Sequence, residues 1–352
     1  MKQPKTPDAG LAPVKRQLVD MQNLRRIIQG LFLLLFLFLF IQTESKGNDE
    51  LGYPVRLFLD FDPLILLTTL LSAHAVAKAF LLSLVVIVLS ILLGRVFCGW
   101  VCPLGTLNNI VGSFRKKGQD GPGRNWHRVK YYLLTGILAS ALFTLQPVGL
   151  MDPISLLIRS LSVSVYPLFN YGVRAAFDTL YSVSPSGISV ASEPVYSILK
   201  KTVLSFNQPF YNQGVFIGVL FLTVLGLNLV EKRFWCKYLC PLGAFLGILS
   251  RFSFLKRTVS EGCTECGACS SVCQGNAAPD EKEKWKDTEC LYCWNCDDVC
   301  PANAVSFGFR GKKAAAAMDL GRRRVVTAAL SGMVAVPLLR LNPLTTANAK
   351  NP

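Results

Sequence analysis

Histidine is almost missing from this chain: His74 and His127 are the only two in 352 residues. With so few imidazoles and no C-x2-C-H run, neither a bis-histidine b-type haem nor a covalent c-type haem finds its ligands. Charge is also scarce, at 17% of residues, and acidic residues are outnumbered, 22 against 37 Lys and Arg. A soluble chain of this length carries more charge and less apolar weight. Here 51% of residues are hydrophobic and the mean hydropathy is +0.38. The net charge of +15 is gathered into a few loops. That placement points to membrane topology and away from nucleic acid.

No cysteine stands alone. Two copies of R-x-[FW]-C-x3-C-P-L-G run from Arg95 to Gly105, around Cys98 and Cys102, and from Arg233 to Gly243, around Cys236 and Cys240. Two copies of C-x2-C-x2-C-x3-C follow: Cys263, Cys266, Cys269, Cys273, then Cys290, Cys293, Cys296, Cys300. The second pair has the ligand spacing of a ferredoxin with two [4Fe–4S] clusters, in which the fourth cysteine of each run serves the other cluster. One cluster is therefore expected on Cys263, Cys266, Cys269 and Cys300, the other on Cys290, Cys293, Cys296 and Cys273. Pro301 follows Cys300 as the pattern requires; Gln274 stands where the other proline would be. Zinc is the competing reading of C-x2-C pairs, and the doubled spacing disfavours it. Metal ligation in a reducing compartment, not a disulfide framework, is the reading of twelve such cysteines.

Apolar segments at 27–41, 75–97, 131–150 and 214–230 approach the ~20 residues of a membrane-crossing helix. A weaker run covers 325–339. Six Lys/Arg fall in each of 1–26, 115–130 and 232–257. The positive-inside rule then places these segments, both C-x3-C-P motifs and the ferredoxin segment in the cytoplasm. The loops 42–74 and 151–213 face outward, and the C-terminus lies outside. The organisation read is: 1–26, basic N-terminus; 27–114, first membrane repeat; 115–130, basic loop; 131–257, second repeat; 258–310, ferredoxin segment; 311–352, basic segment and fifth span. The fold class expected is an α-helical membrane protein with a pseudo-symmetric four-helix core. Each outward loop carries a matching piece, Phe61-Asp62-Pro63 and Met151-Asp152-Pro153. These read as short helices on the outer surface, with Asp as N-cap and Pro in the first turn. The structure of 160–212 is not legible.

The C-x3-C-P cysteines are read as converging at the cytoplasmic face, with both thiols of a motif on one helical face. They would bind a further metal or cluster or act as a redox dithiol. The bland alternative makes them small buried residues beside a proline break. Arg95 and Arg233 are expected to snorkel to the interface, and His127 to be solvated. Asp62 and Asp152 are read first as caps; with His74 they are the weaker candidates for accepting quinol protons on the outer side. Gly321 to Thr327, with three consecutive arginines, and Ala347-Asn348-Ala349 resemble a twin-arginine export signal, here internal.

Spans, paired C-x3-C-P motifs and a two-cluster ferredoxin segment together resemble the NapH/NosR family of membrane-bound quinol dehydrogenase components, over about residues 20–310. The resemblance implies electron transfer between the quinone pool and an extracytoplasmic reductase system in the bacterial inner membrane. A periplasmic iron–sulfur or cytochrome acceptor would be the partner. The same layout also resembles proteins that reduce copper for oxidase assembly, and a non-catalytic anchor for a periplasmic enzyme is a third reading.

Overall fold

The computed structural model describes residues 21–43, 53–73, 81–115, 126–143, 147–183, 194, 196–197, 199, 213–277, 285–309 and 321–340. His74 and the Ala347-Asn348-Ala349 run lie outside them. The first repeat holds α1 (Met21–Gln42), α2 (Tyr53–Asp60), α3 (Pro63–Ala73), α4 (Leu81–Leu93) and α5 (Pro103–Ser113). The second holds α6 (His127–Leu142), α7 (Val148–Met151), α8 (Pro153–Ser160), α9 (Tyr166–Val183), α10 (Gly214–Val230) and α11 (Pro241–Ser250). A π-turn, Phe97–Val101 or Trp235–Leu239, precedes α5 and α11, and a third, Leu161–Val165, joins α8 to α9.

Among the described helices, only α1, at 22 residues, is long and apolar enough to cross a membrane unaided. The 75–97 segment contains a helix of 13 residues and the 214–230 segment one of 17. What stops α4 is Gly94, whose φ of +78° is left-handed and cheap only for glycine. Of the four full-length spans expected from hydropathy, the described residues show one as a helix of spanning length; 75–80 and 144–146, inside two others, lie outside those residues. Apolar side chains such as Leu34, Phe38, Val88, Val215, Phe216 and Leu222 stand exposed on α1, α4 and α10. So much outward hydrocarbon suits lipid better than water.

The short helices are inside. Leu64 of α3, Leu104 of α5, Ile154 and Leu157 of α8, and Leu242 of α11 are fully buried in one core. The reading of α3 and α8 as helices lying on the outer surface is thus corrected: each packs against the helix after the other repeat's C-x3-C-P motif, α3 on α11 and α8 on α5. Their caps are as expected. Asp62 Oδ1 accepts from the amides of Leu64 and Ile65, and Asp152 Oδ2 from those of Ile154 and Ser155, at 2.8–3.4 Å.

The ferredoxin segment is framed by an antiparallel pair, β1 (Leu255–Val259) on β2 (Val305–Phe309). Between them lie two one-turn helices, α12 (Ala268–Ser271) and α13 (Asn295–Asp298). The internal repeat shows in the backbone. Glu265 and Tyr292, Gly267 and Trp294, Asn276 and Asn303 all have positive φ at matching places. The last helix, α14 (Arg322–Arg340), lies along α6, where Gly136 and Gly332 bring the two backbones together. A Cβ at Gly332 would stand 2.3 Å from the Gly136 carbonyl oxygen. Close approach through small residues is a standard way for helices to associate in lipid.

Candidate iron–sulfur and thiol sites

In each C-x3-C-P motif the second cysteine ends the π-turn with extended backbone and caps the following helix, and proline occupies the first helical position. The thiols therefore do not share one helical face, because the helix breaks between them. Cys102 Sγ accepts from the Gly105 amide at 3.4 Å and Cys240 Sγ from the Gly243 amide at 3.2 Å. Cys98, Cys102, Cys236 and Cys240 are all buried and lie within electrostatic range of one another. The two repeats thus deliver one pair of thiols each to a common centre.

Arg95 and Arg233 do not snorkel. Both are buried, at 1% and 0% exposure, and each crosses to the other repeat. Arg233 Nη1 donates to the Cys98 carbonyl at 3.1 Å. The Arg95 guanidinium lies over Gly243, where a Cβ would stand 2.9 Å from Nη2. Asn228, a polar residue inside the apolar α10, donates to Asn108 Oδ1 at 2.8 Å, and Asn108 Nδ2 in turn reaches Cys236 Sγ at 3.7 Å.

The ferredoxin segment is locked onto this centre by a stretch that sequence reasoning passed over. Glu289, the residue before Cys290, is buried. Its carboxylate takes Arg95 Nη1 at 3.2 Å, the Tyr131 hydroxyl at 2.8 Å and a close ion pair with Lys130. His127 Nδ1 is 3.7 Å away, so the expectation of a solvated His127 is corrected. Burial works to raise the pKa of Glu289, but Lys130, Arg95 and His127 outweigh it and hold it below the ordinary value. Leu291 and Tyr292 follow. A Cβ on Gly99 would meet the Leu291 carbonyl at 2.4 Å, and one on Gly94 would enter the Tyr292 ring. Trp100 Nε1 donates to the Tyr292 carbonyl at 3.0 Å, and its ring meets Trp294 edge-on at 5.6 Å. The signal available was an acid directly before a cluster cysteine, with a lysine at the mouth of an apolar segment.

Within the segment, Cys290, Cys293, Cys296 and Cys273 lie in electrostatic range of one another. The charges of Arg25 of α1 and Arg257 of β1 lie near this group, by Cys293 and Cys296 respectively. Burial pushes the Cys296 thiol up to about 12, against the opposing charge of Arg257. Gln274, in the place of the expected proline, accepts from Arg25 Nη1 at 3.2 Å and donates to Asn109 at 3.3 Å. It tethers the turn to α1 and α5, which a proline cannot do. Cys263 and Cys266 are exposed, while Cys269 and Cys300 are half-buried. Among the described residues, no three Cys, His, Asp or Glu side chains meet as closely as a single metal ion requires. A [4Fe–4S] cube takes one thiolate at each of four irons, so its ligands stand farther apart than those of one ion.

Comparison with known proteins agrees with this arrangement. A family profile described as a 4Fe–4S binding domain matches residues 78–120 and 213–259, the two C-x3-C-P repeats. The putative electron transport protein YccM of Escherichia coli is 27% identical over 76% of this chain and 66% of its own length. The methylamine utilization ferredoxin-type protein MauN of Methylorubrum extorquens is 29% identical, over 71% of this chain and 75% of its own. The ferredoxin-type protein NapH of Escherichia coli is 28% identical over the same shares. The chain is thus similar to NapH-type and MauN-type ferredoxin-type proteins. No solved structure matches it.

Proposed function

We propose that this chain is a membrane-embedded iron–sulfur carrier that takes electrons from quinol and passes them toward an acceptor outside the cytoplasm. The packing of Glu289, Leu291 and Tyr292 directly on Arg95, Gly99 and Trp100 carries the reading. It brings a cysteine of the ferredoxin segment against the motif that carries Cys98 and Cys102 through direct side-chain and backbone contacts. In this reading the segment holds two [4Fe–4S] clusters. Cys263, Cys266, Cys269 and Cys300 hold one, and Cys290, Cys293, Cys296 and Cys273 the other. Arg25, buried, and Arg257, half-buried, lie beside the second group and tune it toward the reduced state.

Oxidation of one quinol releases two electrons and two protons. The electrons leave singly through the clusters. The protons go to carboxylates on the outer side, and Asp62 and Asp152 are the candidates from the sequence that the described residues cover. The ferredoxin segment lies on the cytoplasmic side and the C-terminus outside, by the distribution of Lys and Arg. The test is anaerobic addition of a reduced quinone to the purified full-length protein, followed by EPR. Bleached clusters with a reduced-cluster signal are expected; clusters reducible by dithionite but not by any quinol overturn the reading.

A further inference from the structure

We propose that Cys98, Cys102, Cys236 and Cys240 together hold a third iron–sulfur cluster, a [4Fe–4S] cube with two ligands from each membrane repeat. The electron-transfer reading above gives this cluster its place in the path, but the site stands on separate observations.

Four buried thiols at one centre, two from each half of a pseudo-symmetric core, match the ligand number of a cube. Three of the four sulfurs have an N–H donor. The Gly105 amide serves Cys102, the Gly243 amide Cys240 and Asn108 Nδ2 Cys236, while the Arg95 charge lies near Cys98. Neutral thiols are weak acceptors. Donors set on three sulfurs and a cation near the fourth suit thiolates, whose hydrogen bonds tune a cluster. Cys102 and Cys240 also sit at the N-termini of α5 and α11, where helix dipoles favour negative charge.

Arg233 supplies the independent observation. It is fully buried, and no carboxylate pairs with it among the described residues. Its one hydrogen bond goes to the Cys98 carbonyl, and its Nε and Nη2 have no partner. An uncompensated guanidinium in such a core is expensive. Arg95 in the matching place has a carboxylate partner in Glu289, shared with Lys130, whereas Arg233 has none among the described residues, so the second arginine is left for an anion at the thiol centre. A cube of charge 2+ with four thiolates carries a net charge of about −2 and meets that need. A dithiol or disulfide pair would leave Arg233 unpaired. The 4Fe–4S family match falls on 78–120 and 213–259, and the cysteines inside those limits are these four alone.

Iron and acid-labile sulfide per chain decide the matter, measured on anaerobically purified full-length protein. About twelve of each are expected in the natural chain, and about eight in C98A/C236A, with the EPR signals of the ferredoxin segment unchanged. Equal iron in the two proteins, or copper in place of the missing iron, overturns the proposal. Should the double variant not fold, the natural protein still answers: about eight irons per chain sinks the third cluster. R233Q then tests the counter-charge. A changed line shape or lowered iron content is expected, while a spectrum identical to the natural one refutes the role of Arg233. A protein with about eight irons that quinol still reduces would keep the electron-transfer reading and lose this site. One with about twelve that no quinol reduces would do the reverse.

Discussion

Arg95 and Glu289 form a buried ion pair, Nη1 to Oε2 3.2 Å, that joins the first C-x3-C-P motif to the residue before Cys290. Both partners are nearly sealed from solvent, and Lys130, Tyr131 and His127 close around the same carboxylate. This cluster fixes the distance between the ferredoxin segment and the helical core.

Glu289→Gln should therefore loosen the segment more than a surface change would. It leaves Lys130 and Arg95 buried without their counter-charge, a loss of roughly 3–5 kcal/mol for a broken buried pair. Thermal loss of the visible cluster absorbance in detergent should come at a clearly lower temperature. Glu289→Asp should fall between. An unchanged melting profile for Glu289→Gln would show that the ion pair does not hold the segment.

Crossed ligation gives an asymmetric result for two single changes. Cys273→Ala should remove the cluster shared with Cys290, Cys293 and Cys296, the group into which the fold brings Cys273. Cys300→Ala should remove the cluster at the exposed Cys263 and Cys266 and leave the buried one intact. EPR of the remaining cluster, combined with iron counts about four lower in each case, separates the two. Loss of the Cys263 cluster on changing Cys273 would refute the crossing.

Gly99→Ala probes contact without touching a ligand. The new methyl would lie 2.4 Å from the Leu291 carbonyl oxygen, so backbone must give way, at a cost of about 1–3 kcal/mol. Iron content should be normal and reduction of the core by the ferredoxin segment slower in stopped-flow traces. Normal kinetics would place the electron path elsewhere.

Asp62 and Asp152 meet in the core, and Asp62 Oδ2 and Asp152 Oδ1 have no other partner. Two carboxylates cannot donate to each other, and like charges in contact do not both ionise. One shared proton satisfies both oxygens. Asp62→Asn supplies an N–H in its place and keeps the cap, so stability should change little. Asp62→Ala removes the cap as well and should cost about 1 kcal/mol or more. Denaturation in mild detergent compares them; equal losses for Asn and Ala would argue against the shared proton. Quinol-driven reduction measured on the Asn variant shows whether the proton matters for turnover.

The sequence by itself determined the chemistry. Cysteine spacing is enough to propose the ligand sets, because a cluster is held by a short loop plus one distant residue, and both are local or repeated patterns. Asp-Pro named the caps of α3 and α8, and Gly, Cys and Pro marked the helix breaks, because capping and φ restriction act within a turn. What only the tertiary structure decided was depth and pairing. Hydropathy cannot tell a helix that faces lipid from a short one buried among others, since both environments are apolar; hence α3 and α8 read as surface pieces. Nor can charge patterning find Glu289 with Arg95 and Lys130, whose partners lie more than a hundred residues apart in the chain. Burial of an arginine is favourable only when the fold supplies its counter-charge. That sum over distant groups separates Arg95, which has one, from Arg233, which waits for an anion.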